Sequence, residues 1–280
     1  MTPPAEPPPP ARLRWSGWTD RGRVRPHNED AWIGLRFDAQ EVHHLGRVGE
    51  AETGHFDHVF AVSDGMGGAQ AGEIASQIAV DKITTLLPRA YRQAAAGLAA
   101  GFSDVLEELY EQIHRALVLV GGSYEECAGM ETTLSLGWFT PGWMYFGHIG
   151  DSRLYLLEAG ADAVRQLSHD DTHVGWLFRN GKITEREARA HPARNRLQKA
   201  LGGGNQFVHP QVGAVGCQPG DLFLLCTDGL TEGLHDQQLA GLLREAQAAG
   251  ALDGVARRLV EAALAADGRD NITALVIEAG

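Results

Sequence analysis

Short apolar runs bounded by Gly, Pro, Asp or Asn recur along much of this chain. Runs such as "HVFAVSDG", "DLFLLCTDGL" and "DNITALVIEAG" are rich in β-branched and aromatic residues and predict buried strands. Three more, "TTLSLGWFT", "WMYFGHIG" and "RLYLLEA", follow one another closely and predict an antiparallel meander. Near the start, "LRWSGWTDRGRVRPHNEDAWIGLRF" predicts two strands that flank a loop at residues 20–30.

Apolar residues recur at helical spacing in three longer segments, residues 69–87, 98–119 and 236–266. A shorter helix is predicted at "TEREARAH", where Thr184 can cap the first turn and Glu187 follows three residues later. This helix lies in a polar segment, residues 168–200, which we predict to extend over the surface of the protein. Residues 40–58 are irregular, and we predict a solvated hairpin for them.

Strands and helices come in separate runs, which favours antiparallel sheets covered by helices over alternating β-α-β units. The chain has no Pro-, Gly- or Ser-rich linker within residues 12–280, so we predict a single α+β domain there. The proline-rich start, residues 1–11, predicts a disordered tail because proline enters neither helix nor sheet interiors.

Composition narrows the class of protein. The chain has 280 residues, of which 44% are hydrophobic and 21% charged, as in ordinary folded proteins. A net charge of −12 disfavours nucleic acids and anionic membrane surfaces as partners. The chain has three cysteines without C-x-x-C spacing, no apolar stretch of membrane-spanning length and no signal-peptide pattern, so we predict a cytoplasmic protein.

Acidic residues stand where the predicted strands begin or end. Asp64 and Asp228 each follow an apolar run and precede a glycine, Asp270 comes just before a strand, and Asp151 lies in a corner between two strands. In an antiparallel sheet the end of one strand lies beside the start of its neighbour. All four acids are therefore expected at one edge of the sheets.

Such a cluster requires cations, because two like charges about 4 Å apart repel by roughly 4 kcal/mol at an effective dielectric near 20. Oxygen ligands alone select Mg²⁺ or Mn²⁺ over Zn²⁺. Gly65 would let a backbone carbonyl approach a metal closely. The alternative is that each aspartate is an ordinary turn residue, which four acids at one edge make the weaker interpretation.

A second acidic pair, Glu29 and Asp30, follows Arg25 in "RVRPHNEDAW". A guanidinium there could bind a phosphate through two parallel hydrogen bonds. Alternatively, Arg25 is a surface residue paired with Glu29. The histidines fit no metal-ligand spacing and are predicted to be loop or strand residues: His27, His43, His44, His55, His58 and His148.

Seven motifs, taken together and in order, resemble a known family. They are "RVRPHNEDA", "VFAVSDGMGG", "ETTLSLGW", "GHIGDSRLYLL", "HPARNRLQKALG", "LLCTDGL" and "DNITALVI", and they span essentially residues 12–278. The chain is similar to metal-dependent serine/threonine phosphatases of type 2C, the bacterial branch especially.

The resemblance implies an α+β fold in which a sandwich of two antiparallel β-sheets is flanked by helices in four α-β-β-α layers. It implies hydrolysis of phosphoserine and phosphothreonine on proteins by a metal-activated water, with two or three Mn²⁺ or Mg²⁺ per chain. It also implies phosphorylated proteins as partners, among them a bacterial serine/threonine kinase and its substrates.

The resemblance further assigns roles by motif match. Asp64 would bridge two metals, the Gly65 carbonyl would join one of them, and Asp228 and Asp270 would hold the other, while Asp151 with Asp228 would hold a third. Glu29 and Asp30 would act through metal-bound water, Arg25 would bind the substrate phosphate, and residues 168–200 would form a mobile flap, called the flap segment below.

Four residues depart from the family pattern, and they are Met66, Glu131, Gln198 and Lys199. Met66 leaves the donor of the leaving-group proton unassigned. Besides an active protein phosphatase, two other interpretations stay open. One is a protein that binds phosphoproteins without cleaving them, which Glu131 motivates, and the other is a metal-dependent hydrolase of small phosphoesters.

Overall fold

The computed structural model describes residues 11–54, 56–68, 70–95, 101–204 and 208–280, with the backbone alone over residues 92–95. Most of the predicted tail at residues 1–11 lies outside this range, as does His55. Ala11, the last residue of that prediction, is hydrogen-bonded to Gly280 and its carbonyl accepts from Thr53.

Over the described ranges, the first sheet has six antiparallel strands in the order β10-β9-β13-β14-β1-β4. Their bounds are β1 Arg12–Asp20, β4 Val48–Glu52, β9 Arg153–Leu157, β10 Arg165–Gln166, β13 Leu222–Cys226 and β14 Ile272–Ala279. Both faces of β14 are buried, because Ala274 and Val276 face helices while Leu275 and Ile277 face the other sheet. This explains the unbroken apolar run at the end of the sequence.

The second sheet has eight antiparallel strands in the part of the chain that the structure describes. β5 lies at its centre with β2 and β7 on either side, β3 extends from β2, β8 and β12 extend from β7, and β6 and β11 continue from the end of β5. The bounds are β2 Asp30–Phe37, β3 Val42–His44, β5 Asp57–Met66, β6 Glu131–Thr132, β7 Leu134–Thr140, β8 Trp143–Ile149, β11 Leu201–Gly202 and β12 Gln211–Gly216.

The helices cover the outer faces of the two sheets. Residues of α1 and α2 pack on the second sheet and residues of α5, α6 and α7 on the first, while Phe60, Phe139 and Phe223 fill the space between the sheets. The bounds are α1 Ala71–Ala95, α2 Phe102–Ser123, α3 His173–Arg179, α4 Glu185–Ala190, α5 Asp228–Gly233, α6 Asp236–Ala248 and α7 Val255–Ala266. The predicted α+β sandwich with α-β-β-α layers is confirmed.

The predicted meander is wrong in its third strand. β7 and β8 pair with each other, but β9 pairs with β13 and β10 in the first sheet. The chain crosses from one sheet to the other at residues 150–152, where Gly150 has a φ of 111°. The corner that contains Asp151 is therefore a connection between sheets.

The predicted hairpin at residues 40–58 is also wrong. β3 pairs with β2 in the second sheet, and β4 pairs with β1 in the first sheet. Each strand extends one edge of the sandwich because the unpaired backbone of β2 and of β1 is available there.

Several predicted boundaries shift. The segment at residues 236–266 forms two helices, α6 and α7, separated by a short 3-10 turn at Leu252–Gly254. β5 does not end before Asp64 but continues through Met66, because Gly65 and Met66 pair with β6. The predicted cap is confirmed, since the Glu187 N–H donates to Thr184 Oγ1 at 3.3 Å. In the described part of the chain, no helix has the length and apolarity to cross a membrane.

Candidate active site

A cleft of about 390 Å³ opens at one end of the sandwich, and we call it the acidic cleft. Its described lining comes from both sheets and from the flap segment, and it comprises Arg25, Pro26, His27, Glu29, Asp64, Gly65, Met66, Gly67, Gly68, Asp151, Asn195, Leu197, Asp228 and Asp270. The structure thus brings together seven of the eight predicted site residues, and Asp30 lies directly behind them.

Asp64 is fixed through its backbone by Thr132, the last residue of β6, and by Thr133, which directly follows it. Its N–H donates to Thr133 Oγ1 at 3.0 Å, and its carbonyl accepts from Thr132 Oγ1 at 2.8 Å. The next residue must be glycine, because a Cβ on Gly65 would lie 1.9 Å from the Gly72 carbonyl oxygen at the start of α1. The close approach of α1 therefore adds a packing reason for a glycine at this position.

Asp228 is the first residue of α5, immediately after β13. Its Oδ1 is buried and has no hydrogen-bond partner among the described residues. A buried, unpartnered carboxylate oxygen is unfavourable unless a cation or a proton compensates for it.

Asp151 lies in the crossover between the sheets, and this corner is tied to the base of the flap segment. The Asp171 N–H donates to the Gly150 carbonyl at 2.7 Å, and the Gly150 N–H donates to Asp171 Oδ2 at 3.2 Å. Two residues further on, Arg153 donates to both carboxylate oxygens of Asp170, at 2.9 and 2.6 Å.

Arg25 reaches across the cleft wall to Asp270, with Nη2 donating to Asp270 Oδ2 at 2.7 Å. This hydrogen bond raises the pKa of Arg25, so the guanidinium stays charged. The alternative in which Arg25 pairs with Glu29 is not what the structure shows, since the ion pair is with Asp270.

The loop that carries Arg25 is held by the buried side chain of Asn271. Its Nδ2 donates to the carbonyls of Arg21 and His27 at 2.8 and 2.9 Å, and its Oδ1 accepts from the Glu29 N–H at 2.8 Å. One residue therefore fixes both ends of residues 21–27 and also the backbone of Glu29.

Asp30 lies beneath the cleft and joins the two sheets. Its Oδ2 accepts hydrogen bonds from Thr227 Oγ1 at 2.8 Å and from Thr273 Oγ1 at 2.6 Å. Its Oδ1 is buried and has no hydrogen-bond partner among the described residues. Burial raises the pKa of Asp30 to about 7, although these two hydrogen bonds oppose the rise.

The acids of the cleft disfavour one another's ionisation. Burial, followed by repulsion from Asp30 and Asp228, raises the pKa of Asp64 well above its ordinary value. Burial and the neighbouring Asp151 do the same to Asp228, and burial with repulsion from Asp170 raises the pKa of Asp151 to about 7. Positive charge in the cleft would reverse this effect.

The side chains of the cleft fit a hard divalent cation in their chemistry. The acidic side chains that line the cleft all offer oxygen atoms as ligands. The buried Asp228 Oδ1 has no hydrogen-bond partner among the described residues. Within the described ranges, no group of three or more Asp, Glu, His or Cys side chains lies close enough together to hold a metal ion as it stands. The donor set, rather than a preformed cage, therefore indicates the type of ligand.

The flap segment closes one side of the cleft and is bound to α5. Asn195 Nδ2 and Arg194 Nη2 donate to Glu232 Oε1 at 2.6 and 2.9 Å. Arg189 donates to the carbonyls of Thr231 and Leu234. Because α5 begins with Asp228, the same helix supports both the flap segment and an acid of the cleft.

Three of the four departures from the family pattern lie away from the acidic cleft. Glu131 pairs with Met66 on one side and Gly202 on the other and is not among the described lining residues. The Gln198 N–H donates to the Asp171 carbonyl, and Lys199 lies 3.5 Å from the Asp171 carboxylate. Met66 alone lines the cleft.

Sequence reasoning missed several residues that shape the site. His27 lines the cleft, whereas buried His148 bonds to Ser135 and to the Gly150 carbonyl and so is structural. Asn195 and Asn271 carried no local signal, because their partners lie 37 and 242 residues away in the sequence. The sequence features that indicated these two residues were the motifs that contain them, "HPARNRLQKALG" for Asn195 and "DNITALVI" for Asn271.

Comparison with known proteins agrees with this geometry. The sequence model of protein phosphatase 2C matches residues 49–265. A serine/threonine phosphatase stp of Listeria innocua is 33% identical over 261 residues, which cover 93% of each chain. The crystal structure of the Mycobacterium tuberculosis serine/threonine phosphatase PstP/Ppp aligns with a TM-score of 0.76 at 30% identity, covering 95% of this chain and 98% of the other.

A further crystal structure bears on the cleft. The catalytic domain of the serine/threonine protein phosphatase PstP, in complex with two manganese ions, aligns with a TM-score of 0.73 at 29% identity, covering 95% of this chain and 98% of that one. Family match, identity and fold thus agree over nearly the whole chain, and the chain belongs to the protein phosphatase 2C family.

Proposed function

We propose that this protein phosphatase hydrolyses phosphoserine and phosphothreonine on proteins, with Mn²⁺ or Mg²⁺ held in the acidic cleft, and that it opposes a bacterial serine/threonine kinase. The observation that carries the proposal is the convergence of Arg25, Asp64, Asp151, Asp228 and Asp270 on one cleft. The manganese complex of the related PstP domain supports the choice of metal.

The chain's own residues divide into those that would hold metal and those that would hold substrate. Asp64, the Gly65 carbonyl, Asp228 and Asp270 would hold two metal ions, and Asp151 with Asp228 would hold a third. When bound, such ions lower the pKa of water toward neutrality and offset the negative charge of the phosphoryl group.

Arg25 would bind and orient the phosphate. Its guanidinium keeps its charge beside Asp270, and about half of the side chain is exposed, so that further N–H groups could donate to a phosphate. Glu29 lines the cleft and would position water there, and Asp30, held by Thr227 and Thr273, would keep the two sheets in register behind it.

The two other interpretations find less support. Binding without hydrolysis was motivated by Glu131, but Glu131 is not among the described residues that line the cleft. All the acids that are expected to hold metal do line it. The hydrolysis of small phosphoesters uses the same groups and is separated from protein dephosphorylation only by comparing substrates.

The test is hydrolysis of a phosphothreonine peptide with Mn²⁺, with Mg²⁺ and with a chelator. We expect metal-dependent turnover by the wild type and a loss of more than about 100-fold in Asp228→Asn, because removal even of a supporting residue typically costs 10- to 100-fold. Asp253→Asn, which changes an exposed carboxylate elsewhere, should behave as wild type.

Calorimetric titration with Mn²⁺ gives a second readout that does not depend on turnover. Asp228→Asn should bind Mn²⁺ more weakly than wild type. Wild-type binding of a phosphopeptide without turnover in any metal would contradict the proposal and favour a phosphoprotein-binding role, and faster turnover of nucleotides than of phosphopeptides would favour a small-molecule hydrolase.

A further inference from the structure

Positive charge is concentrated around the acidic cleft of an otherwise acidic protein. Residues 21–27 and 173–199 hold ten of the chain's 24 Lys and Arg residues but two of its 36 Asp and Glu residues. Both segments contribute to the lining, with Pro26 and His27 from the first and Asn195 and Leu197 from the second. Two segments that contribute to the cleft are therefore basic, although its described lining holds five acidic side chains and one arginine.

Arg21 provides the cation on the loop side of the rim. Its side chain is exposed, and Nη1 donates to the carbonyl of Pro26 at 3.2 Å. Because Asn271 holds the carbonyls of Arg21 and His27, this loop is fixed in place and the guanidinium stays beside a lining residue. Across the described residues, Arg21 forms no ion pair.

Arg196 provides the cation on the flap side. It is exposed and lies between Asn195 and Leu197, which both line the cleft. Its neighbours Arg194 and Lys199 are paired with Glu232 and Asp171, whereas Arg196 forms no ion pair with any acid that the structure describes. Its charge is therefore available to a ligand.

We propose that Arg21 and Arg196, the rim arginines, bind an anionic group of the substrate protein next to the phosphorylated residue. The enzyme then prefers phosphoserine and phosphothreonine that are flanked by acidic side chains or by a second phosphate. This inference rests on the proposed function, since it concerns the substrates of the same cleft.

The electrostatics of the cleft explain why the anion is bound at the rim. The carboxylates of the floor repel any second anion that enters with the substrate phosphate, while a guanidinium offers carboxylate or phosphate two parallel hydrogen bonds. Exposed ion pairs contribute modestly, about 0.2 to 1 kcal/mol each. Two of them therefore correspond to a preference between about twofold and about thirtyfold.

The test compares phosphothreonine peptides of equal length that differ only in the residues flanking the phosphorylated one. One carries glutamates, one glutamines, one lysines and one a second phosphothreonine. We expect kcat/KM for the glutamate and doubly phosphorylated peptides to exceed that for the glutamine peptide by about fivefold to tenfold. Added salt should reduce this ratio because it screens exposed charges.

The double variant Arg21→Gln/Arg196→Gln should lower the ratio to about one, while its turnover of the glutamine peptide and of p-nitrophenyl phosphate stays at the wild-type level. Arg186→Gln is the matched control, because Arg186 is an exposed arginine of the flap segment whose neighbours Glu185 and Glu187 are not among the described lining residues, unlike the neighbours of Arg196. A gain restricted to the second phosphate would still support the proposal and would assign the rim to phosphate.

Two results would overturn the inference. One is an acidic preference that persists in the double variant, and the other is a wild type that cleaves the glutamine or lysine peptide as well as both the glutamate and the doubly phosphorylated peptide. Both leave the proposed function intact. That function fails separately, if the wild type with metal hydrolyses neither the glutamine peptide nor p-nitrophenyl phosphate.

Discussion

His58 lies six residues from Asp64 on β5 and is fully buried between the sheets. Among the residues that the structure describes, neither ring nitrogen has a hydrogen-bond partner. Burial, followed by the charge of Arg36, lowers the pKa of His58 to about 4, and a weak interaction with the backbone of Phe56 opposes this only in part. The ring is therefore neutral in the folded protein over the whole range in which an unfolded histidine gains its proton.

The fold should consequently lose stability as the pH falls from about 6.5 to about 4, by up to about 3 kcal/mol, because only the unfolded chain binds the proton. We predict that His58→Leu is more stable than wild type and that its advantage grows from about pH 7.5 to about pH 5. Urea unfolding at both pH values measures this. Val48→Leu, at an exposed position without a titratable group, is the control.

Asp57, the adjacent residue, should show the opposite dependence. Burial raises its pKa to about 6, although the hydrogen bond from Trp138 Nε1 at 2.8 Å opposes the rise. Folding then becomes less favourable as the pH rises from about 4 to above 6, by up to about 3 kcal/mol. Asp57→Asn keeps the acceptor for Trp138, and urea unfolding should show stabilisation at about pH 7.5 but little at about pH 4. Equal stability at the higher pH would contradict this.

At this scale the sequence predicted residues that line the cleft better than the residues that hold them in place. Asp64, Asp228 and Arg25 were predicted from acids at strand ends and from the arginine before "NED", and all three line the cleft. Asn271 and Glu232 could not be predicted in this way, because an amide or a carboxylate acquires its function from the groups that distant segments bring to it.

Among the elements, α5 connects the flap segment to the cleft. We predict that Glu232→Ala releases Arg194 and Asn195, so that amide hydrogen exchange becomes faster across residues 185–199 while α6 is unaffected. KM for a phosphopeptide should rise more than KM for p-nitrophenyl phosphate. Glu245→Ala, at an exposed ion pair on α6, is the control, and unchanged exchange in the flap segment would refute the role of Glu232.

The elements that sequence analysis described incorrectly are those defined by distant partners. Nothing within "RLYLLEA" indicates that β9 leaves its neighbour β8 for β13, about 70 residues later. Likewise β3 and β4 are short and polar, and they are strands because β2 and β1 offer open edges. By contrast, the cap at Thr184 was predicted correctly because its hydrogen bonds are all with Glu187, three residues later in the sequence.

For the whole molecule, we predict that residues 12–280 unfold in one transition. Phe60 and Phe139 of one sheet pack on Phe223 of the other, and the crossover at residues 150–152 joins the sheets at the cleft. Far-ultraviolet circular dichroism and tryptophan fluorescence should therefore give coincident urea curves. Two separated transitions would instead indicate that the two halves of the sandwich fold independently.

The placement of the acids on both sheets has a mechanical consequence. Asp64 belongs to one sheet, Asp228 and Asp270 adjoin strands of the other, and Asp151 lies on the chain segment between them. A small shear of one sheet over the other would change the spacing of all four carboxylates at once. Substitutions in the aromatic layer between the sheets, remote from the cleft, should thus alter the spacing of these carboxylates and, on the proposed function, the choice of metal.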